Sequence, residues 1–182
     1  MKQNHFVPII GCLLILAACS ATQLPPPQWT YQKDAIRLHI KAAHNLNLAD
    51  NEAHTLSLCV YQLSDPNAFN QLANDQDGLY KLLDCSLFGA GAAAAKRIII
   101  QPGQVIDMKL DRAEGARYVA FVAGYNILER ARIVKMVDIP EYVDKKGFIK
   151  TTKIRMPAPL KVNLVLGPLQ ITTISTSTSI GK

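Results

Sequence analysis

The chain has 182 residues, of which 49% are hydrophobic and 19% charged, and Lys+Arg 20 against Asp+Glu 14 give a formal net charge of +6. That length suits one domain with a full hydrophobic core, and the composition is ordinary for a soluble globular fold. Past the first eighteen residues, no segment is long and apolar enough to cross a bilayer as a helix, which takes about 20 residues.

Taken in chain order, the start carries Lys2 and then an apolar run, Phe6 to Leu16. A positive start, a short apolar core and small residues before a cut make residues 1–18 a secretory signal peptide. The cut falls before a cysteine, and Leu16-Ala17-Ala18-Cys19 matches the bacterial lipobox. In that class the cysteine thiol is diacylated and its freed amine acylated, which makes Cys19 the lipidation site. Several acyl chains, each CH₂ worth about 0.8 kcal/mol when buried, hold a protein on a bilayer almost permanently. Ser20 in place of Asp favours sorting to the outer membrane, facing the periplasm. The blander reading is a secreted protein with a cysteine near its cut. An exported chain rarely meets nucleic acid, so the positive charge does not point there.

Residues 19–32 read as a linker. Pro25-Pro26-Pro27 favours extended polyproline II, with about 3.1 Å rise per residue and no internal hydrogen bonds. A β domain is expected over 33–175. Ile36 to Ala42 alternates apolar and polar residues, the mark of a half-buried strand. Residues 43–54 hold the turn formers Asn45, Asn47, Asp50 and Asn51, with Leu46 and Leu48 among them. His54 to Leu63 is the next strand. Asp65-Pro66 then starts a helix, since Asp caps free N–H groups and Pro tolerates the first helical position. Leu79, Leu82 and Leu83 continue at helical spacing.

Gly89 to Lys96 invites a phosphate-loop reading and fails it, because Ala95 and Arg97 stand where Gly and Ser/Thr are needed. It reads as a small-residue connector. Ile98 to Ile100 and Val105 to Leu110 are strands around Gln101-Pro102-Gly103-Gln104, where Pro-Gly suits a type II turn. Tyr118 to Tyr125 is apolar enough for a central strand. Ile127 to Glu129 turns the chain and Ala131 to Val137 returns as a strand. Ile139 to Pro159 is irregular. Leu160 to Leu166 alternates again, Leu169 to Ile174 pairs as the last strand, and residues 176–182 form a flexible tail. Lys145, Lys146, Lys150, Lys153, Arg155 and Lys161 cluster late, either as a solvated face or as a surface for anionic lipid, peptidoglycan or an acidic partner.

Of the four cysteines, Cys12 leaves with the leader and Cys19 takes lipid. Cys59 and Cys85 remain in an oxidising compartment, as a disulfide or as two separately buried thiols, with the disulfide favoured. No nucleophilic triad can be assembled from His39, His44 and His54, and no cofactor motif is present. His44, His54 and Asp50 match no standard metal-ligand spacing. The expectation is therefore no catalytic residue, no metal and no cofactor.

Five features coincide: the lipobox, the strand Ile36–Ala42 with its Asn-rich loop, Val60-Tyr61-Gln62-Leu63-Ser64-Asp65-Pro66-Asn67-Ala68-Phe69, Gln101-Pro102-Gly103-Gln104, and Gly115-Ala116-Arg117-Tyr118-Val119. Together they resemble the TssJ family, outer-membrane lipoproteins of type VI secretion systems. The resemblance is best over about residues 12–125. It implies an all-β, transthyretin-like β-sandwich of two sheets with a short helical excursion, and a non-enzymatic assembly role. It implies binding to the periplasmic C-terminal domain of the inner-membrane protein TssM, and, with TssL, a trans-envelope complex. The family's partner loop falls here on Asn45, Leu46, Asn47, Leu48, Ala49 and Asp50. On a residue reading, Leu46 and Leu48 exposed among polar neighbours would form an apolar anchor with a polar rim. The Gly89–Ala95 stretch, the cysteine pair and Ile127 to Pro159 depart from the family pattern. The alternative is an envelope lipoprotein that binds peptidoglycan or another ligand.

Overall fold

Strict alternation makes the first strand. In β1 (Gln32–Ala42), Ile36, Leu38 and Ile40 are buried while Arg37 and Lys41 face solvent. This is what period-two patterning on a half-covered sheet requires. The computed structural model describes residues 24–146 and 152–178. The leader and Cys19 lie outside them.

The remaining elements, in order, are β2 (Leu56–Leu63), α1 (Asn67–Ala73), α2 (Gln76–Leu83), β3 (Ala92–Ile100), β4 (Val105–Arg112), β5 (Tyr118–Ala123), α3 (Arg130–Ile133), β6 (Val134–Asp138), β7 (Glu141–Lys146), β8 (Thr152–Pro157), β9 (Leu160–Leu166) and β10 (Ile171–Thr178). They form two four-stranded sheets, ordered β10-β9-β1-β4 and β3-β2-β5-β6, and a two-stranded ribbon, β7-β8. The β1–β9 pair is parallel, and the other pairs are antiparallel. The fold is all-β. The described strands and helices share one hydrophobic core.

β2 is buried on both faces. One face meets the other sheet. There Gln62 bridges the layers, donating from Nε2 to the Asp111 carbonyl (2.8 Å) and accepting from the Ala113 N–H (2.7 Å). The opposite face carries Cys59 and Tyr61 beneath the helices. Tyr61 packs against Phe69 and Phe88, with ring centroids 5.9 and 5.4 Å away, and its hydroxyl donates to the Leu82 carbonyl (2.7 Å). Asp65 accepts the Asn67 N–H at the start of α1, and Asp75 caps α2 by accepting the Gly78 N–H. Gly78 lets the two helices approach closely, since a Cβ there would lie 2.1 Å from the Leu72 carbonyl oxygen.

Two fasteners hold the helical layer to its sheet. Cys59 and Cys85 are joined as a disulfide, with Cα atoms 5.1 Å apart. Arg97, opposite Cys59 on β3, donates to the carbonyls of Leu83 and Asp84.

Several boundaries differ from the sequence expectation. The linker reading of 19–32 ends too late. The guanidinium carbons of Arg112 and Arg117 both lie 5.9 Å from the Trp29 ring centroid. The Trp29 carbonyl accepts the Gly115 N–H, and Arg112 donates to the Thr30 carbonyl (2.9 Å). Stacking of cations on an indole pins the chain several residues before β1. The expected connector at Gly89–Lys96 is strand from Ala92 onward, where the alanines pair with β2 despite their weak β propensity. Ala131–Ile133 belongs to a short helix, and β6 begins at Val134. The irregular stretch Ile139–Pro159 contains the β7-β8 ribbon. The last strand runs to Thr178, past the expected tail boundary at 176.

Tyr61 and Tyr125 give the domain an alkaline limit. Burial pushes the Tyr61 phenol up to about 12 and raises that of Tyr125 further. The Tyr125 hydroxyl reaches the Gln170 and Gly167 carbonyls at 2.7 and 3.1 Å. Below pH 10 both phenols are neutral in the folded and unfolded chains alike. Above it the unfolded chain ionises first, so stability falls as pH rises. At about 1.4 kcal/mol per unit of difference, Tyr61 alone removes roughly 2–3 kcal/mol by pH 12. Urea unfolding from pH 8 to 12 tests this, and Tyr61→Phe should flatten the decline.

Candidate functional site

The β1–β2 loop stands at one end of the sandwich, where β1 and β9 finish and β4 begins. Four segments converge there. The Ala43 carbonyl accepts the Gly103 N–H of the β3–β4 turn (2.9 Å), and the Ala43 N–H reaches the Leu166 carbonyl (2.8 Å). The Leu48 N–H donates to the Pro168 carbonyl of the β9–β10 turn (2.8 Å). Asn47 Oδ1 accepts the Asn126 N–H from the β5–α3 connection (2.9 Å), while its Nδ2 donates to the Thr55 carbonyl. The Pro-Gly turn is as the residues require, with Gly103 at φ 74°.

The loop is shaped by its polar residues. Asn47, Asp50 and Asn51 all have positive φ, at 48°, 50° and 64°. Asn and Asp reach this region more readily than other non-glycine residues because their short side chains bond locally to backbone. An Ala49–Glu52 bridge closes the tip. His54 adds a contact from Nε2 to the Ala49 carbonyl at 3.4 Å. The loop is thus built as a pre-ordered projection and not as a slack connection.

The residues expected to meet a partner divide here. Asn45 and Asp50 are exposed, and Asn47, Leu48 and Ala49 are half-buried. Leu46 is fully buried, at 0% exposure, within the main core. The reading of Leu46 as an exposed anchor is therefore corrected. The bends on either side of it return its side chain to the end of the sandwich, where leaving water stabilises the fold by about 2 kcal/mol. The exposed apolar residues bordering the loop are instead Ile127 and Leu169, at 54% and 41% exposure. Each stands one residue from a direct bond to the loop, through Asn126 and Pro168. An apolar residue inside a turn was the sequence signal for Ile127, whereas Leu169, expected in the last strand, lies in the turn before β10 at Ile171, and nothing in the sequence joined either to the loop.

Cys59 and Cys85 sit under the helices, away from this end. His44, His54 and Asp50 form no cluster of metal ligands, and no such group of three His, Cys, Asp or Glu occurs among the described residues. The shifted titratable groups are spread through the molecule. Asp111 is held below the ordinary carboxylate range by the Tyr31 hydroxyl and the Asp34 N–H, and burial lowers Arg112. A cavity of about 470 Å³ beside Arg112 is lined by Gln28, Tyr31, Tyr142 and Met156, and lies between the pinned linker and the ribbon. No helix among the described residues is long and apolar enough to cross a membrane.

The chain matches the model of the type VI secretion lipoprotein family (VasD, EvfM, TssJ) over residues 34–162. Its fold is similar to that of the type VI lipoprotein TssJ1 from Pseudomonas aeruginosa, with TM-score 0.53 and 21% identity over 86% of this chain and 100% of that one. It is also similar to Lip of Serratia marcescens, described as a membrane-bound component of the type VI secretion system, with TM-score 0.54 and 15% identity over 80% and 98% of the two chains. A structure described as the TssM C-terminal domain (869-1107) from EAEC matches with TM-score 0.52 and 16% identity, over 77% and 96%. At these identities the likeness speaks to fold. No curated protein matches the chain in sequence.

Proposed function

The chain belongs to the type VI secretion lipoprotein family, and from that membership we propose that it is an outer-membrane docking post, acylated at Cys19 and facing the periplasm, that binds the periplasmic C-terminal domain of TssM. TssL joins the same assembly through TssM. The role is structural: the protein offers a shaped surface and no chemistry.

The observation that carries the partner site is the pre-ordered β1–β2 loop, with Leu48 at its side and Ile127 and Leu169 exposed beside it. An apolar patch with a polar rim of Asn45 and Asp50 is the usual anatomy of a protein interface. A loop already hydrogen-bonded in its bound shape loses little further entropy on docking. The linker upstream of Trp29 supplies reach, and the Arg112–Trp29–Arg117 stack fixes where it leaves the domain.

Two measurements test this. Leu48→Asp, combined with Leu169→Asp, should weaken capture of the TssM periplasmic domain at least tenfold while the far-UV circular dichroism spectrum and urea midpoint stay near those of the parent. Unchanged affinity removes this end of the sandwich from the interface. Cys19→Ser should move the protein from the outer-membrane fraction to the soluble periplasm. Retention in the membrane fraction would refute acyl anchoring.

A further inference from the structure

The outer face of the β10-β9-β1-β4 sheet is covered by neither helix nor ribbon, and its charges are arranged in rows. Alternation turns Arg37, His39 and Lys41 of β1 outward. The register sets Lys161 of β9 on one side of Arg37 and Lys109 of β4 on the other. Neighbouring strands lie about 4.8 Å apart, so three cations stand within roughly 10 Å. All three are exposed, as is Lys41 further along the strand, where Val105 and Val165 flank it.

Like charges directly across a ladder are destabilising, and no acid stands in contact with these three to pair them. Asp107 is hydrogen-bonded to His39 Nδ1 at 2.8 Å. Asp111 accepts the Tyr31 hydroxyl and the Asp34 N–H. The Lys/Arg ion pairs among the described residues are Arg132–Glu129 and Arg155–Glu141, and His39–Asp107 is a hydrogen-bonded contact. None of them engages Arg37, Lys41, Lys109 or Lys161.

We propose that this face docks on the anionic phospholipid headgroups of a bilayer. A flat array of unpaired cations with two valines among them complements a charged interface over an apolar interior. Its position fits an anchored chain. β1 leads from the Trp29 clamp directly into the face. The ten residues from Cys19 to Trp29 span about 30 Å when extended, enough for the sheet to lie on the membrane. Only this reach rests on the lipoprotein reading. Docked so, the domain has one preferred orientation. Lys145, Lys153 and Arg155, on the separate ribbon, do not take part.

The test uses the mature chain from residue 19 with Cys19→Ser, which carries no acyl group. Sedimentation with phosphatidylglycerol/phosphatidylcholine vesicles at 0.1 M salt should show binding that pure phosphatidylcholine lacks and that about 0.5 M salt abolishes. Each basic residue at such a surface is worth about a factor of five, so R37Q/K109Q/K161Q should bind about 100-fold more weakly. K145Q/K153Q should bind like the parent, and matching urea midpoints will show that both variants fold. Equal binding to the two vesicle types, or no change in the triple variant, overturns the proposal. So does a triple variant that loses TssM while the parent ignores vesicles, since an acidic protein would then be the occupant. Anchoring and TssM capture by the full-length protein are read separately, so failure here leaves the docking-post function standing and failure there leaves this face standing.

Discussion

Leu46→Asp should abolish cooperative folding, whereas Leu48→Asp should leave it intact. Leu46 has no exposed surface and touches the core shared by both sheets. Truncation to alanine should remove about 3 kcal/mol, within the range for buried leucine. Aspartate adds the desolvation of an unpaired carboxylate, several kcal/mol more. Together these approach the whole stability of a typical domain, about 5–15 kcal/mol. Urea unfolding followed by the single tryptophan, Trp29, reads the result directly because two arginines stack on that ring in the fold. A Leu46→Ala midpoint indistinguishable from the parent would mean that the loop does not enter the core. The contrast matters for any attempt to disrupt partner binding: substituting both leucines together would unfold the domain and report nothing about the interface.

Loss of the Cys59–Cys85 disulfide should cost about 3.5 kcal/mol. The bond closes a loop with a sequence separation of 26 residues, and the chain-entropy model assigns that amount to the unfolded state. The loop contains both helices that cover β2, so Cys59→Ala/Cys85→Ala should loosen this layer before the rest. Hydrogen exchange of the α1 and α2 amides should accelerate more than that of β1 and β9. Unfolding with and without dithiothreitol gives the total. An unchanged midpoint on reduction would show that Arg97 and the Tyr61 cluster constrain the layer unaided.

The sequence made some of this legible for plain reasons. Ile36–Ala42 and Leu160–Leu166 alternate cleanly because each faces core on one side and water on the other. The Asp65-Pro66 start and the Pro102-Gly103 turn are local chemistry that needs no tertiary context. Other features depended on contacts far along the chain. Ala92–Ala95 is a strand because β2 pairs with it, not because alanine favours one. Leu46 and Leu48 are two residues apart and look equivalent, but the chain bends between them and sends only the first inward. The row of Lys161, Arg37 and Lys109 is assembled from three distant segments, and the late cluster of basic residues divides, with Lys161 on this sheet and Lys145 and Lys153 on the ribbon. The prolines around β7 and β8 concealed a ribbon whose strands find partners only in each other.

β1 lies between β4 and β9, with a ladder on either flank, and its beginning is where the pinned linker enters the fold. A tug on an anchored amino terminus would therefore run along this strand, parallel to its length. Both ladders would have to slide at once, with no single rung bearing the force and unzipping before the next.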